Sequence, residues 1–417
     1  MTTNSFDQIP YPKLAHPATF PDALATVGTL MGVSPAPLDQ CRVLEVGCGS
    51  GTNLIAMAQA FPTASFWGID ASHNEIKLAQ EAINQSGYPN VQVKAMLFEQ
   101  LLDSQDRYDY IIAHGVFSWV PKPVQAQLLQ LCRRLLTPHG LAYISYNVYP
   151  GWLQKQMVRD MMLYHTQGLT DPLEKVKRAK ALLEGMGHAG ACQSPDYQQM
   201  LQRLNQEIST TDPAYVFHEY LEPNNRPMYF HEFVTQAAAQ GLTYVADMQV
   251  GSMLSSAYKA EVQQMLDSFD DFVQKEQYLD FLVNRHFRQS LLCHQEVSIC
   301  REISPACINA FYISSDLRCH PNPATPKSQV EMAFVTPEGQ RALTVTSPVL
   351  KAMLVCLEQT NDPVSFAVLV QHTRDYLTKQ GEQPLDQAGI DAMAVALIQL
   401  YLNRHIYLTV YQTIQLA

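Results

Sequence analysis

Glu45-Val-Gly-Cys-Gly-Ser-Gly-Thr-Asn53 sets glycines at 47, 49 and 51 directly after a short apolar stretch, and Asp70 closes the next such stretch nineteen residues after Gly51. Glycines there let the backbone turn sharply and approach a ligand, while free N–H groups opening a helix favour a carboxylate or phosphate. A carboxylate at the end of the following strand can take both hydroxyls of a ribose. A dinucleotide loop needs Gly-x-Gly-x-x-Gly; counted from Gly47 the sixth position is Thr52, so that fingerprint fails. A phosphate loop needs Gly-Lys-Ser/Thr, and the run has no lysine. What remains is Glu-x-Gly-x-Gly-x-Gly with a ribose carboxylate.

Such residues must be held at strand ends, and the surrounding text supplies them. Segments 42–46, 65–70, 91–95, 108–113 and 141–146 read as strands, and 52–61, 74–85 and 124–136 as helices. That alternation predicts a doubly wound α/β architecture with a parallel, Rossmann-like sheet. After Asn147 the text turns helical over 152–165, 171–186 and 197–208. A proline-punctuated loop at 220–229, a helix at 231–240 and a strand at 242–248 then return to the sheet. A helix at 261–283 and a last strand at 287–299 follow. Beyond the proline-rich stretch 320–326, a hairpin (330–335 and 340–345), helices at 348–359, 363–378 and 387–404, and a strand at 406–410 predict an α+β, winged-helix-like module. The expected division is a cofactor-binding core over 1–152, a mostly helical insertion over 153–228, the end of the core sheet with a regulatory region over 229–320, and the C-terminal module over 321–417.

Charge narrows the partners. The chain has 28 Lys and Arg against 39 Asp and Glu, which argues against a nucleic-acid backbone as the main partner. The module from 331 onward has five basic and eight acidic side chains, a poor surface for phosphates. Nine cysteines are spread out without a Cys-x-x-Cys pair, so reduced thiols and no metal site are expected. The start shows no basic head followed by an apolar stretch, and no apolar run approaches the ~18 residues that span a bilayer. A cytoplasmic protein with no membrane insertion is the expectation; the oligomeric state is left open.

The Glu-x-Gly-x-Gly-x-Gly loop with Asp70 resembles that of class I S-adenosylmethionine (SAM) methyltransferases. Beyond the loop, Tyr108-Asp-Tyr-Ile-Ile-Ala-His-Gly-Val-Phe-Ser-Trp-Val-Pro121, Ser145-Tyr-Asn-Val-Tyr-Pro-Gly-Trp152, His218-Glu-Tyr-Leu-Glu222 through Tyr229-Phe-His-Glu-Phe233, and Gln277–Leu292 resemble bacterial protein-lysine methyltransferases that carry a methyltransferase regulatory domain. The resemblance implies SAM as cofactor and S-adenosylhomocysteine as product. It implies that Glu45, Gly47 and Gly49 hold the methionine end, that Asp70 with Ala71 beside it takes the ribose, and that Leu97 and Phe98 flank adenine. Leu97 stands where an acid is common, leaving backbone and apolar contacts. His114 is implied at the cofactor from the end of the fourth strand. Tyr11 and His16 are implied in a segment that folds over it, with Phe20 where related chains often have His.

Methyl transfer to an amine is an in-line displacement in which positive charge passes from sulfur to nitrogen, so alignment and a dry pocket should matter most. Aromatic walls would desolvate the amine and attract cationic groups. Candidates are Trp119, Tyr146, Tyr149, Trp152, Tyr220 and Tyr229; of these Trp119, Tyr220 and Tyr229, with Asn225 as an orienting amide, are expected to shape an acceptor pocket. The favoured expectation is methylation of lysine in a protein substrate. The alternatives are a small-molecule methyltransferase, or a SAM-sensing regulator that binds DNA through its C-terminal module.

Overall fold

The computed structural model describes residues 13–188, 192–320, 331–360 and 362–412. Its frame is a seven-stranded sheet of Arg42–Val46 (β1), Ser65–Asp70 (β2), Val91–Ala95 (β3), Tyr108–Ala113 (β4), Leu136–Asn147 (β5), Leu242–Asp247 (β6) and Phe287–His294 (β7), in the order β3-β2-β1-β4-β5-β7-β6. β1, β4 and the second half of β5 are buried nearly throughout, as central strands covered on both faces are, whereas the edge strand β3 alternates. The first five strands pair in parallel. β7, read from the sequence as a last strand of no stated direction, lies antiparallel between β5 and β6. The sheet is therefore mixed. β7 also ends at His294 rather than 299, because the chain turns there and Glu296 pairs with Arg133 at 2.7 Å.

Eleven helices accompany this sheet among the described residues: Pro21–Leu30 (α1), Thr52–Ala60 (α2), His73–Ser86 (α3), Lys122–Leu135 (α4), Trp152–Thr166 (α5), Pro172–Gly187 (α6), Pro195–Ser209 (α7), Pro213–Val216 (α8), Phe230–Ala239 (α9), Ala260–Asp267 (α10) and Phe272–Val283 (α11). α1 has no counterpart in the sequence reading. The single helix expected at 261–283 is two, because the Asp271 carboxylate accepts from Val273 N and caps α11. Between α8 and α9 the segment Phe217–Leu221 forms a π turn. Val158, Met162, Val176, Leu183, Leu201, Ile208 and Phe217 make a core for α5–α8 and this turn, separate from the core under the sheet.

Towards the C-terminus come Tyr312–Ser314 (β8), Arg318–His320 (β9), Met332–Val335 (β10), Arg341–Val345 (β11), Pro348–Glu358 (α12), Val364–Ser365 (β12), Phe366–Lys379 (α13), Gln387–Leu402 (α14) and Tyr407–Thr409 (β13). They give two small sheets, β11-β10-β9 and β12-β8-β13, with three helices. Their buried side chains belong to the same core as those of the large sheet.

Candidate active site

Strand order reverses between β1 and β4, and open α/β sheets bind ligands in the crevice beyond the carboxyl ends at such a point. A cavity of about 750 Å³ opens there, lined by the ends of β1, β2, β4 and β5. Gly47 follows β1 with φ +74°, and a Cβ on it would stand 2.5 Å from Val116 Cγ2. Only glycine fits both that conformation and that approach. Gly49 N donates to Asp70 Oδ2 at 3.0 Å, and Ser72 N to Asp70 Oδ1 at 2.8 Å, so the loop and the second strand's carboxylate are locked together.

Glu45 is buried beneath this loop. Its Oε1 accepts from Asn53 Nδ2 at 2.8 Å, while Oε2 has no hydrogen-bond partner among the described residues. Burial first, then the nearby Asp70 charge, push its carboxyl up to about 8 against the Asn53 bond. An unpaired carboxylate oxygen at the cavity wall fits a cationic amino-acid tail. Asn53 Oδ1 also accepts from His16 N at 2.8 Å, which draws the segment Lys13, Leu14, His16 across the opening. Tyr11 lies outside the described residues.

The His16 and His114 rings pack against each other, tilted by 35° with centroids 4.0 Å apart. Gln289 Nε2 donates to the Tyr143 hydroxyl at 2.9 Å, and the same hydroxyl lies 2.9 Å from His114 Nδ1. Burial, then His16, push its pKa down to about 3, and burial also lowers His16. Two neutral imidazoles at this wall would meet a cationic ligand without charge repulsion.

Ala71, Met96, Leu97 and Phe98 line the same end of the cavity, and Glu99 brings a carboxylate two residues beyond Leu97 with Oε2 unpartnered. Leu97 is exposed and Phe98 buried. Glu45, Gly47, Gly49, Asp70, Ala71, Leu97, Phe98 and His114 thus share one wall.

The four expected acceptor residues are not brought together. Trp119 lines the cavity. Tyr220 does not, because the π turn directs it into the core of α5–α8, where its hydroxyl is buried without a hydrogen-bond partner among the described residues. Asn225 stands behind the cavity-lining Asn147, accepting from Asn147 Nδ2 at 3.2 Å. Tyr229 precedes α9 and packs against Tyr149 (5.4 Å), His231 (5.6 Å) and Phe281 (5.9 Å), away from the cavity. Tyr146, one of the broader wall candidates, is buried on Phe233 at 4.0 Å.

The far end of the cavity is instead walled by Asn147, Trp152, Lys155, Tyr215, His218, Glu219, His286 and Phe287. Of these, the sequence named Trp152 as a wall candidate. Asn53 had a local signal, lying two residues past Gly51; Lys155 and Glu219 had none, since only the packing of α5 against the π turn gives them a shared wall.

Comparison with known proteins agrees with this geometry. Residues 37–206 match a family described as "Methyltransferase domain", and residues 212–294 match "Predicted methyltransferase regulatory domain". The second match runs from α8 to β7, so it contributes two strands to the large sheet. The chain is 33% identical to the protein RP789 of Rickettsia prowazekii, over 97% of this chain and 74% of that one. It superposes on PKMT2 from Rickettsia typhi with a TM-score of 0.86 at 31% identity, covering 96% of this chain and 77% of that one. PKMT2 in complex with AdoHcy superposes equally well, at 30% identity, over 97% and 78% of the two chains.

Proposed function

The chain belongs to the family of SAM-dependent methyltransferases that carry a methyltransferase regulatory domain, and from that premise we propose that its acceptor is the side-chain amine of lysine in a protein. The observation that carries the proposal is the far end of the cavity. The glycine loop, Asp70, Met96, Phe98 and His114 account for one end; what is left, between α5 and the π turn, sets the Trp152, Tyr215 and Phe287 rings around the Glu219 carboxylate, with Lys155, His218, His286 and Asn147 beside them. Aromatic faces attract an ammonium by ~0.5–2 kcal/mol per contact. A lysine with an ordinary pKa near 10.4 needs roughly 4–5 kcal/mol to become neutral at pH 7, at about 1.36 kcal/mol per unit. A dry, aromatic pocket lowers that cost. The similarity to PKMT2 and the net charge of −11 both suit a basic protein partner.

Within this reading Trp119 forms the acceptor side nearest the donor, and the Asn147–Asn225 pair fixes the floor. The C-terminal winged-helix-like module serves protein contact rather than DNA, and the protein works in the cytoplasm. The test is incubation of the protein with tritiated SAM and cell lysate, followed by separation of labelled protein from labelled metabolites and mass spectrometry of the labelled band. Methyl-lysine in protein is the expected result. Label confined to metabolites makes the acceptor a small molecule; no label at all, together with a salt-dependent DNA shift, makes the chain a sensor.

A further inference from the structure

Glu219 is the one acidic side chain among those that wall the far end of the cavity. It sits on the π turn Phe217–Leu221 beside His218, and both side chains line the cavity. Widened turns of this kind are frequent at functional sites. Neighbouring charges are already committed. Lys155 Nζ, on α5, lies 3.1 Å from Glu207 Oε1 of α7 and 5.9 Å from the Trp152 ring. Arg159, also on α5, donates to the Glu222 carbonyl. His218 Nδ1 stands 3.4 Å from Glu222 Oε1. Glu219 has no ion pair within 4 Å among the described residues.

We propose that this end of the cavity is the subsite for the acceptor's primary ammonium group, and that Glu219 is the carboxylate that pairs with it and takes its proton before transfer. The proposal rests on the lysine reading above and deepens it. The bound R–NH3+ gives one proton to the Glu219 carboxylate, leaving R–NH2. The nitrogen lone pair then forms the N–CH3 bond as the S–CH3 bond breaks, and that bond's electron pair stays on sulfur. The products are R–NH2+–CH3 and the neutral thioether S-adenosylhomocysteine; Glu219 afterwards releases its proton to water. The charge carried into the cavity by the acceptor is met by a carboxylate that has no ion pair within 4 Å among the described residues.

Burial pushes the Glu219 carboxyl up to about 7, against Lys155 and Arg159, with Glu207 adding to the rise. A base of that strength is half ionised near neutrality, which suits proton transfer at working pH. The groups facing it are Lys155 and Arg159 from α5, Glu207 from α7, Tyr215 from α8, His218 from its own turn and His286 before β7. Of these, burial lowers His286 and Arg159.

The test uses the full chain, with methyl-lysine formation on lysate protein followed from pH 6 to 9. Glu219→Gln should lower the rate at least tenfold and abolish the rise through pH 7, with SAM affinity by calorimetry unchanged within twofold. Glu219→Asp should recover part of the rate. Lys155→Met, which removes the nearest cation, should move the rise to higher pH. If the wild type methylates lysine and Glu219→Gln matches it in rate and pH profile, the subsite assignment falls while the lysine reading stands. If the wild type forms no methyl-lysine, the lysine reading falls and takes the subsite with it.

Discussion

Burial and the Asp70 charge keep the Glu45 carboxyl protonated up to about pH 8, with the Asn53 amide pulling the other way. A donor cation placed at Oε2, which has no partner among the described residues, would favour the ionised form and so couple donor binding to proton release. Calorimetry of SAM binding at pH 7 in two buffers of different ionisation enthalpy should show release of about one proton, and Glu45→Gln should remove the buffer dependence. The same shift acts on stability. Because the folded-state pKa lies above the ordinary carboxylate value, the folded chain holds more protons than the unfolded one between about pH 4.5 and 8, so Glu45 subtracts stability as pH rises through that window. Beside it, Gly47→Ala forces both a left-handed φ and the 2.5 Å approach to Val116. SAM affinity should fall at least tenfold, read by the same calorimetry; an unchanged affinity would show that the loop tolerates a Cβ. Both residues were legible in the sequence because the motif is local: acid, glycines and Asp70 keep their meaning at fixed spacing. Tyr220 and Tyr229 were not, since nothing in the spacing of aromatics tells which way a π turn or the residue before a helix will point its ring.

At the scale of elements, α11 is tied to the large sheet through one buried cation. Arg288 on β7 donates from Nε to Asp280 Oδ2 and from Nη2 to Asp280 Oδ1, both at 2.8 Å, and from Nη2 to Glu276 Oε2 at 2.9 Å. Its guanidinium lies 3.9 Å from the Phe230 ring centroid on α9 and 3.9 Å from Asp247 Oδ2 on β6. Replacing a buried pair by apolar groups can be neutral, but removing Arg288 leaves Glu276 and Asp247 without it and Asp280 with Arg285 alone at 2.7 Å, and losing one partner of a buried pair costs about 3–5 kcal/mol. Arg288→Ala should therefore lose that much in urea unfolding at pH 7.5. The deficit should shrink at pH 5, because carboxylates without their cation have raised pKa values in the folded state and destabilise it as pH rises. An equal deficit at both pH values would mean that Arg288 acts by packing alone. β7 was legible in the sequence as a strand but not in its direction: apolar periodicity marks a strand, while its direction is set by the neighbours it pairs with, here β5 and β6, both antiparallel to it. The break between α10 and α11 had a visible sign in Asp271, a residue that caps helices better than it continues them.

At the scale of the whole molecule, the C-terminal module is part of the core and not an appendage. Ile308, Phe311, Ile313, Met353, Leu357, Leu369, Leu397 and Leu408 are buried in the same cluster as Leu44, Ile111 and Ile144 of the large sheet. A Cβ on Gly251, just past β6, would overlap the Leu402 carbonyl at the end of α14, and the Phe61 and Tyr411 rings lie 5.7 Å apart. The sequence predicted these helices and the β10–β11 hairpin from their own periodicity, but periodicity marks which face of an element is apolar and not which partner covers it. A chain ending at residue 303 would uncover the surface around Val250–Met253, Phe61 and α1, an apolar area of the kind that drives aggregation. It should express insolubly, or unfold at least 10 °C below the full chain in a thermal scan, where each ~1 kcal/mol shifts the midpoint by about 2–4 °C in a domain of 150–250 residues. Gly251→Ala in the full chain should lower the midpoint by a few degrees through the same contact while leaving SAM affinity intact. A soluble, SAM-binding fragment with an undiminished midpoint would show instead that the sheet and its regulatory strands are complete without the module, and would return that module to the role of a separable docking domain.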